Sequence, residues 1–84
     1  MQEIEIGRVT DFFAKPIVAG IEIHGSVQRG DLIRIKGHTT DLEFVLSSMQ
    51  IEHASVEDAR DGDVIGIKVP DRVRHGDHVY KVIE

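Results

Sequence analysis

The chain of 84 residues contains no cysteine, so neither a disulfide nor a thiolate metal site can stabilise its fold. It also has no apolar run that approaches the roughly 20 residues needed by a membrane helix. Its first residues, MQEIEIGRV, lack the basic flank and the apolar stretch of a secretory signal. Because these features are absent, we expect a soluble cytoplasmic protein with no membrane partner.

Basic residues are fewer than acidic ones, with ten Lys and Arg against fifteen Asp and Glu and a net charge of -5. Proteins that bind nucleic acid usually carry a basic footprint, so this balance argues against tight nonspecific binding of RNA or DNA. The length has room for one domain, residues 1–84, with a small hydrophobic core.

Motifs for nucleotide binding and catalysis are absent as well. The chain has no Gly-x-x-x-x-Gly-Lys-Ser/Thr loop, so we expect no GTP binding. It has no Gly-x-Ser-x-Gly elbow, and Ser47–Ser48 has no evident base beside it. The five histidines lie at predicted strand ends and turns, which favours solvated side chains over a metal site. We therefore predict that the chain is not an enzyme and that it has no cofactor.

The pattern that dominates the chain is an alternation of apolar and polar residues, which is typical of half-buried β-strands. It predicts strands near 3–12, 17–24, 31–37, 41–53, 63–69 and 77–83. The alternation changes phase at 7–8 and at 47–48, as it does at a β-bulge, and bulges bend strands. We therefore predict an all-β fold, a six-stranded closed antiparallel β-barrel, with at most one helical turn in 54–63.

The tripeptide Arg29-Gly30-Asp31 matches a cell-adhesion signal, but its Gly-Asp part recurs at the start of other predicted strands. The three copies lie at 30–31, 62–63 and 76–77. Glycine adopts positive φ at little steric cost, and the aspartate that follows can accept backbone hydrogen bonds. The recurrence favours a turn over an adhesion motif.

Three such strand entrances on a six-stranded barrel resemble domain II of the translational GTPases, the family of elongation factor Tu. The resemblance is carried by IVAGIEIHGSVQRGDLIRIKG, VLSSMQIEHASVEDARDGDVIGIKV and RVRHGDHVYKV. In that family, domain II helps to hold the aminoacylated 3′ end of tRNA. The positions that match the family's contacts are Phe13, Lys15, Ser48, Gln50, Asp63 and Ile67. Similar barrels also stand at the C-terminus of collagenase-like peptidase-family proteins.

Several outward-facing residues are candidates for binding a partner. Arg34, Lys36 and Lys68 occupy outward strand positions and, together with Lys15, could follow RNA phosphates. Alternatively, these charges only protect the strands from aggregation. One ring of the pair Phe12–Phe13 should be exposed, where it could stack on a base, anchor a partner protein or cover the end of the barrel.

Two functions remain open from the sequence. The resemblance implies a noncatalytic, translation-associated binding module that engages tRNA, rRNA or a ribonucleoprotein complex, or a translation-related protein. The acidic composition favours the alternative, a protein-interaction or regulatory subunit that docks on a partner domain without contacting RNA. Added salt should weaken RNA binding steeply, whereas an apolar protein interface should be less sensitive.

Overall fold

The computed structural model describes residues 2–83, and within that range every regular element is a β-strand. The prediction of an all-β fold is therefore confirmed. The ten strands are β1 (Gln2–Ala14), β2 (Ile17–Ile23), β3 (Ser26–Gln28), β4 (Leu32–Lys36), β5 (Asp41–Val45), β6 (Met49–Ile51), β7 (Ala54–Val56), β8 (Asp58–Arg60), β9 (Val64–Lys68) and β10 (His78–Ile83). Residues 2–83 form no helix with the length and hydropathy to cross a bilayer.

Eight strands form one antiparallel sheet in the order β5-β4-β10-β1-β2-β9-β6-β7, and β3 pairs separately with β8. This order is open, so the predicted closure into a six-stranded barrel is wrong. The reason lies in the predicted strand 41–53, which is interrupted at 46–48. The first part of this segment pairs with β4, and the second part pairs with β9. Between them, the buried residue Leu46 forms backbone hydrogen bonds with Gly30 and Asp31.

The segment 54–63, for which at most one helical turn was predicted, forms no helix and contains β7 and β8 instead. Val56 lies opposite Met49 of β6, and Ala59 lies opposite Val27 of β3. Ala59 is buried in the core. Strands of three residues are too short to display a clear period, so their tertiary pairing rather than their sequence pattern defines them.

The long strand β1 bends because its pairing is irregular in two places. Its register shifts between Glu5 and Gly7 against β10, and between Val9 and Asp11 against β2. The first shift agrees with the phase change predicted near 7–8. As a result, Ile6 and Val9 both reach the core from one strand.

Alternate residues of the central strands build the core. Ile21 of β2, Ile33 and Ile35 of β4 and Val79 of β10 are each no more than 2% exposed. Side chains two positions apart lie on the same face of a strand, so these residues share one interior. Burying each of them contributes about 1.5–3 kcal/mol.

The three Gly-Asp sites are turns, as predicted. Gly30, Gly62 and Gly76 have φ of 98°, 93° and 92°. In each turn the aspartate carboxylate accepts a hydrogen bond from the backbone N–H three residues earlier, at 2.8–2.9 Å. The backbone N–H of the same aspartate donates to the carbonyl of that residue. The tripeptide at 29–31 is therefore a structural turn that the chain repeats.

Candidate functional site: a groove across β2 and β9

A shallow groove crosses the outward face of β2 and β9 above two glycines. Gly20 and Gly66 lie opposite each other in this ladder, and neither has a side chain to cover the sheet. Val18, which faces Phe13 across the β1–β2 ladder, borders them on one side, and Val64 borders them on the other. The result is a trough of about 570 Å³, called here the glycine groove.

The walls of the glycine groove are apolar and exposed. The Phe13 side chain is 57% exposed and Val64 is 53% exposed, although both are large apolar residues. Phe12, by contrast, packs against the core, which confirms that the two adjacent rings face different environments. Contiguous exposed apolar surface on a small protein commonly marks a site of interaction.

Polar side chains surround this apolar surface. Lys15, Gln50, Glu52 and His53 all line the groove. Among residues 2–83, Lys15, Glu52 and His53 have no oppositely charged partner within 4.0 Å. An apolar centre with a polar rim is the usual composition of a protein interface.

The turn between β6 and β7 holds two residues of the rim in a strained backbone conformation. Glu52 has φ of 49° and His53 has φ of 67°. Two-residue hairpin turns with positive φ at both positions normally contain Asn and Gly. Other residues there cost about 1–2 kcal/mol each. Such strain concentrates at functional sites, and here it lies at the edge of the exposed apolar surface.

A smaller cavity of about 190 Å³ adjoins the groove and shares several of its residues. Ser48 and Lys68 line this cavity together with Gln50 and Gly66. The structure thus gathers on one surface the candidate residues Phe13, Lys15, Ser48, Gln50 and Lys68.

Two other candidates, Arg34 and Lys36, lie away from this surface, since β10, β1 and β2 separate β4 from β9. The Lys36 Nζ donates to Glu3 Oε1 at 2.7 Å, and Arg34 Nη2 donates to Asp41 Oδ1 at 3.1 Å. The hydrogen bond from Lys36 holds the pKa of Glu3 below its ordinary value, and the hydrogen bond to Asp41 raises the pKa of Arg34. These residues form a cross-strand ion network rather than a stripe continuous with Lys68.

The last candidate, Asp63, has a structural role. Its Oδ2 accepts a hydrogen bond from the Arg60 N–H at 2.9 Å, which closes the turn before β9. The carboxylate is therefore engaged by the backbone, although Val64 beside it lines the groove.

The floor of the groove and His53 were not identified from the sequence. The available signal was the presence of glycine at an outward position in two strands, Gly20 and Gly66. That signal gains meaning only when the register places the two glycines side by side. The strained turn gave no signal, because Glu52–His53 is not a turn sequence that favours positive φ.

Histidine and carboxylate side chains meet only in small groups in the part of the chain that the structure describes. His78 Nδ1 contacts Glu5 Oε2, and His24 lies within 4.0 Å of Glu22 and Asp61. No group of three or more His, Asp or Glu side chains in residues 2–83 has an arrangement that could hold a metal ion.

Comparison with known proteins finds similarity to proteins named as a protease or a putative peptidase. No protein-family model matches it. It is 46% identical over 84 residues to a protein of Methanocaldococcus jannaschii named as an uncharacterized protease. The match covers 99% of this chain and 21% of the relative, so the chain spans about a fifth of the length of the curated relative it matches.

The fold is similar to that of two solved structures of one domain. A crystal structure of the C-terminal domain of a Geobacillus thermoleovorans putative U32 peptidase gives a TM-score of 0.88 at 16% identity, covering 94% of this chain and 92% of that one. The selenomethionine variant of that domain gives 0.86 at 15% identity, covering 90% and 96%. At these identities the similarity shows the fold alone.

These findings contradict the resemblance to domain II of the translational GTPases, and with it the predicted translation-associated, RNA-binding function. The relative is named as a protease and the solved neighbours are described as parts of a U32 peptidase. The sequence was misleading because Gly-Asp turns and alternating strands specify a backbone, and unrelated functions share one backbone. In sequence and in fold, the chain is similar to parts of proteins named as peptidases.

Proposed function

We propose that the chain is a noncatalytic accessory domain of a U32-type peptidase, and that its glycine groove packs against the catalytic part of that peptidase. The observation that carries this proposal is the 46% identity over 84 residues that make up only 21% of a protein named as a protease. The fold of a solved U32 peptidase C-terminal domain supports it. A segment of this size within a longer protein has a larger neighbour to pack against.

The composition of the groove supports packing against a protein surface. Phe13 and Val64 present apolar area to solvent. Lys15, Glu52 and His53 surround it with polar groups that can pair with or hydrogen-bond to a partner. Burying an exposed phenylalanine or valine side chain contributes about 1.5–3 kcal/mol, so Phe13 is the expected anchor. Aromatic anchors in the centre of an interface often provide most of its binding energy.

The noncatalytic assignment is supported by the arrangement of reactive side chains. Ser48 lines the smaller cavity, but no histidine or carboxylate among residues 2–83 lines that cavity with it. A serine nucleophile needs a base within hydrogen-bond reach. We therefore assign peptide hydrolysis to the remainder of the peptidase.

A binding experiment tests this proposal. The chain is mixed with the Methanocaldococcus jannaschii relative from which the matching segment has been removed, and binding is measured by calorimetry. We expect saturable binding that Val64→Asp weakens by at least about tenfold, because a charge would be buried in an apolar contact. Val45→Asp is the matched control, since Val45 is 60% exposed but lies on β5, outside the groove.

Two results would count against the proposal. One is the absence of binding by the unmodified chain. The other is an equal loss of affinity in the Val64→Asp and Val45→Asp variants, which would mean that the groove is not the contact surface.

A further inference from the structure

A second surface feature lies between the bulge of β1 and the loop before β10. It is a cleft of about 340 Å³ that shares no lining residue with the glycine groove. Its lining residues are Thr10, Asp11, Phe12, Arg72, Val73, Arg74 and His75. Two arginines and a histidine thus line one small cleft in a chain whose net charge is -5.

Within residues 2–83, neither guanidinium group of this cleft is paired with a carboxylate. The Arg72 guanidinium lies 5.9 Å from the centre of the Phe12 ring, and Arg74 Nε donates to the Thr39 hydroxyl at 2.9 Å. In residues 2–83 neither guanidinium has a carboxylate oxygen within 4.0 Å, whereas Arg29 and Arg34 both do. Each guanidinium therefore retains N–H donors in the planar arrangement that suits a carboxylate or phosphate group.

Thr10 is one of the residues that line the cleft, and its hydroxyl is buried beneath the surface beside Gly20. Thr10 Oγ1 is enclosed and has no hydrogen-bond partner among the described residues. Thr10 lies where the register of β1 shifts against β2, between Val9 and Asp11. Buried polar groups are normally paired, and an orphaned group of this kind calls for an explanation.

We propose that this cleft binds a small oxyanion, a phosphate or carboxylate group, through Arg72 and Arg74. The ion–ring contact with Phe12 positions Arg72, and the bond to Thr39 positions Arg74. Asp11 also lines the cleft, and its negative charge opposes a bound anion. The proposal does not depend on the peptidase assignment, because it rests on these residues alone.

Titration of the 84-residue chain, followed through its backbone amide resonances by NMR, tests the proposal. Sodium phosphate and sodium acetate are the probes, and sodium chloride at the same ionic strength and pH is the reference. We expect saturable shifts at Thr10 and at 72–75 with phosphate, acetate or both, and none with chloride. Which probe binds more tightly distinguishes a phosphate site from a carboxylate site.

Three variants assign the binding to these residues. Arg72→Gln combined with Arg74→Gln should weaken binding by about tenfold or more, because it removes charge-assisted hydrogen bonds. Asp11→Asn should strengthen it, since it removes the opposing charge without removing a donor. Arg29→Gln is the control for the loss of one positive charge and should leave the affinity unchanged.

Shifts that match those of chloride for both probes would overturn the proposal. So would an equal loss of affinity with Arg29→Gln, or weaker binding with Asp11→Asn. If the double variant fails to fold, the Asp11→Asn comparison still decides the matter.

Discussion

At the scale of single residues, some glycines are needed for positive φ and others are not, and substitution by alanine distinguishes the two kinds. Gly62 needs positive φ. Apart from its chain neighbours, no described residue would come within 4 Å of a Cβ built there, so backbone strain alone opposes a side chain. Gly66 does not have a positive φ, and a Cβ built at this position would lie 3.9 Å from Val18 Cγ1, which is an ordinary van der Waals contact.

Gly62→Ala should therefore lower the free energy of unfolding by about 1–2 kcal/mol, while Gly66→Ala should leave it unchanged or raise it. Denaturation by urea measures both variants against the parent chain. Equal stability of the Gly62→Ala variant and the parent would mean that the Gly-Asp turn does not depend on left-handed backbone geometry.

The ion network on β4 predicts a pH dependence. The hydrogen bond from Lys36 lowers the pKa of Glu3 from its ordinary value of 4.5 in the folded chain. A carboxyl group of lowered pKa stabilises the fold above its unfolded-state pKa, and this stabilisation is lost as the pH falls through the folded-state pKa. Glu3→Gln should therefore reduce stability near pH 7 and have a smaller effect near pH 2.

Urea denaturation of both proteins at the two pH values measures this difference. The effect should be small, because exposed ion pairs contribute little. Glu57→Gln is the control, because it removes an exposed carboxylate from a different ion pair, the one with Arg29. A Glu3→Gln effect of the same size at both pH values would contradict the expected role of its ionised form.

The turn between β6 and β7 is the element in which stability and function are expected to compete. Replacing Glu52–His53 by Asn-Gly should raise the free energy of unfolding by about 1–2 kcal/mol, because those residues accept positive φ readily. Thermal or urea denaturation measures the gain, and Glu52→Gln with His53→Gln controls for the loss of charge. A double variant with Asn-Gly that is no more stable than this control would show that the turn is unstrained.

The strands illustrate how far the sequence could be interpreted at the scale of elements. Alternation of apolar and polar residues located β2, β4, β9 and β10 to within about two residues, because each is long enough to show the period. It missed β3, β7 and β8, whose three residues show no period. It also joined β5 and β6, since alternation cannot reveal that a segment changes its pairing partner.

The candidate site was predicted in part for a related reason. Alternation identifies residues that face outward, and the resemblance singled out Phe13, Lys15, Ser48 and Gln50, which the structure gathers at the groove and its adjoining cavity. Neither the alternation nor the resemblance could show that Arg34 donates a hydrogen bond to Asp41 on the neighbouring strand. The pairing of Gly20 with Gly66 depends on register, which is a tertiary property.

At the scale of the whole molecule, the sequence was least informative about function. The turn chemistry of the chain is compatible with more than one family, because a fold supports many activities. The similarity to a protein named as a protease came from 46% identity over 99% of the chain. What the chain itself adds is a surface, which is an exposed apolar groove with a polar rim on one face of a small acidic protein.

Hydrogen–deuterium exchange is the measurement that tests most directly whether the glycine groove is the contact surface of this protein. The chain is compared alone and in the presence of the truncated Methanocaldococcus jannaschii relative, and backbone exchange is followed along the sequence. Packing through the groove should slow exchange in 13–20, 50–53 and 64–66, and leave β4 and β5 unchanged. Slower exchange centred on β4 and β5, or no change in the groove segments when the partner is bound, would contradict the proposal.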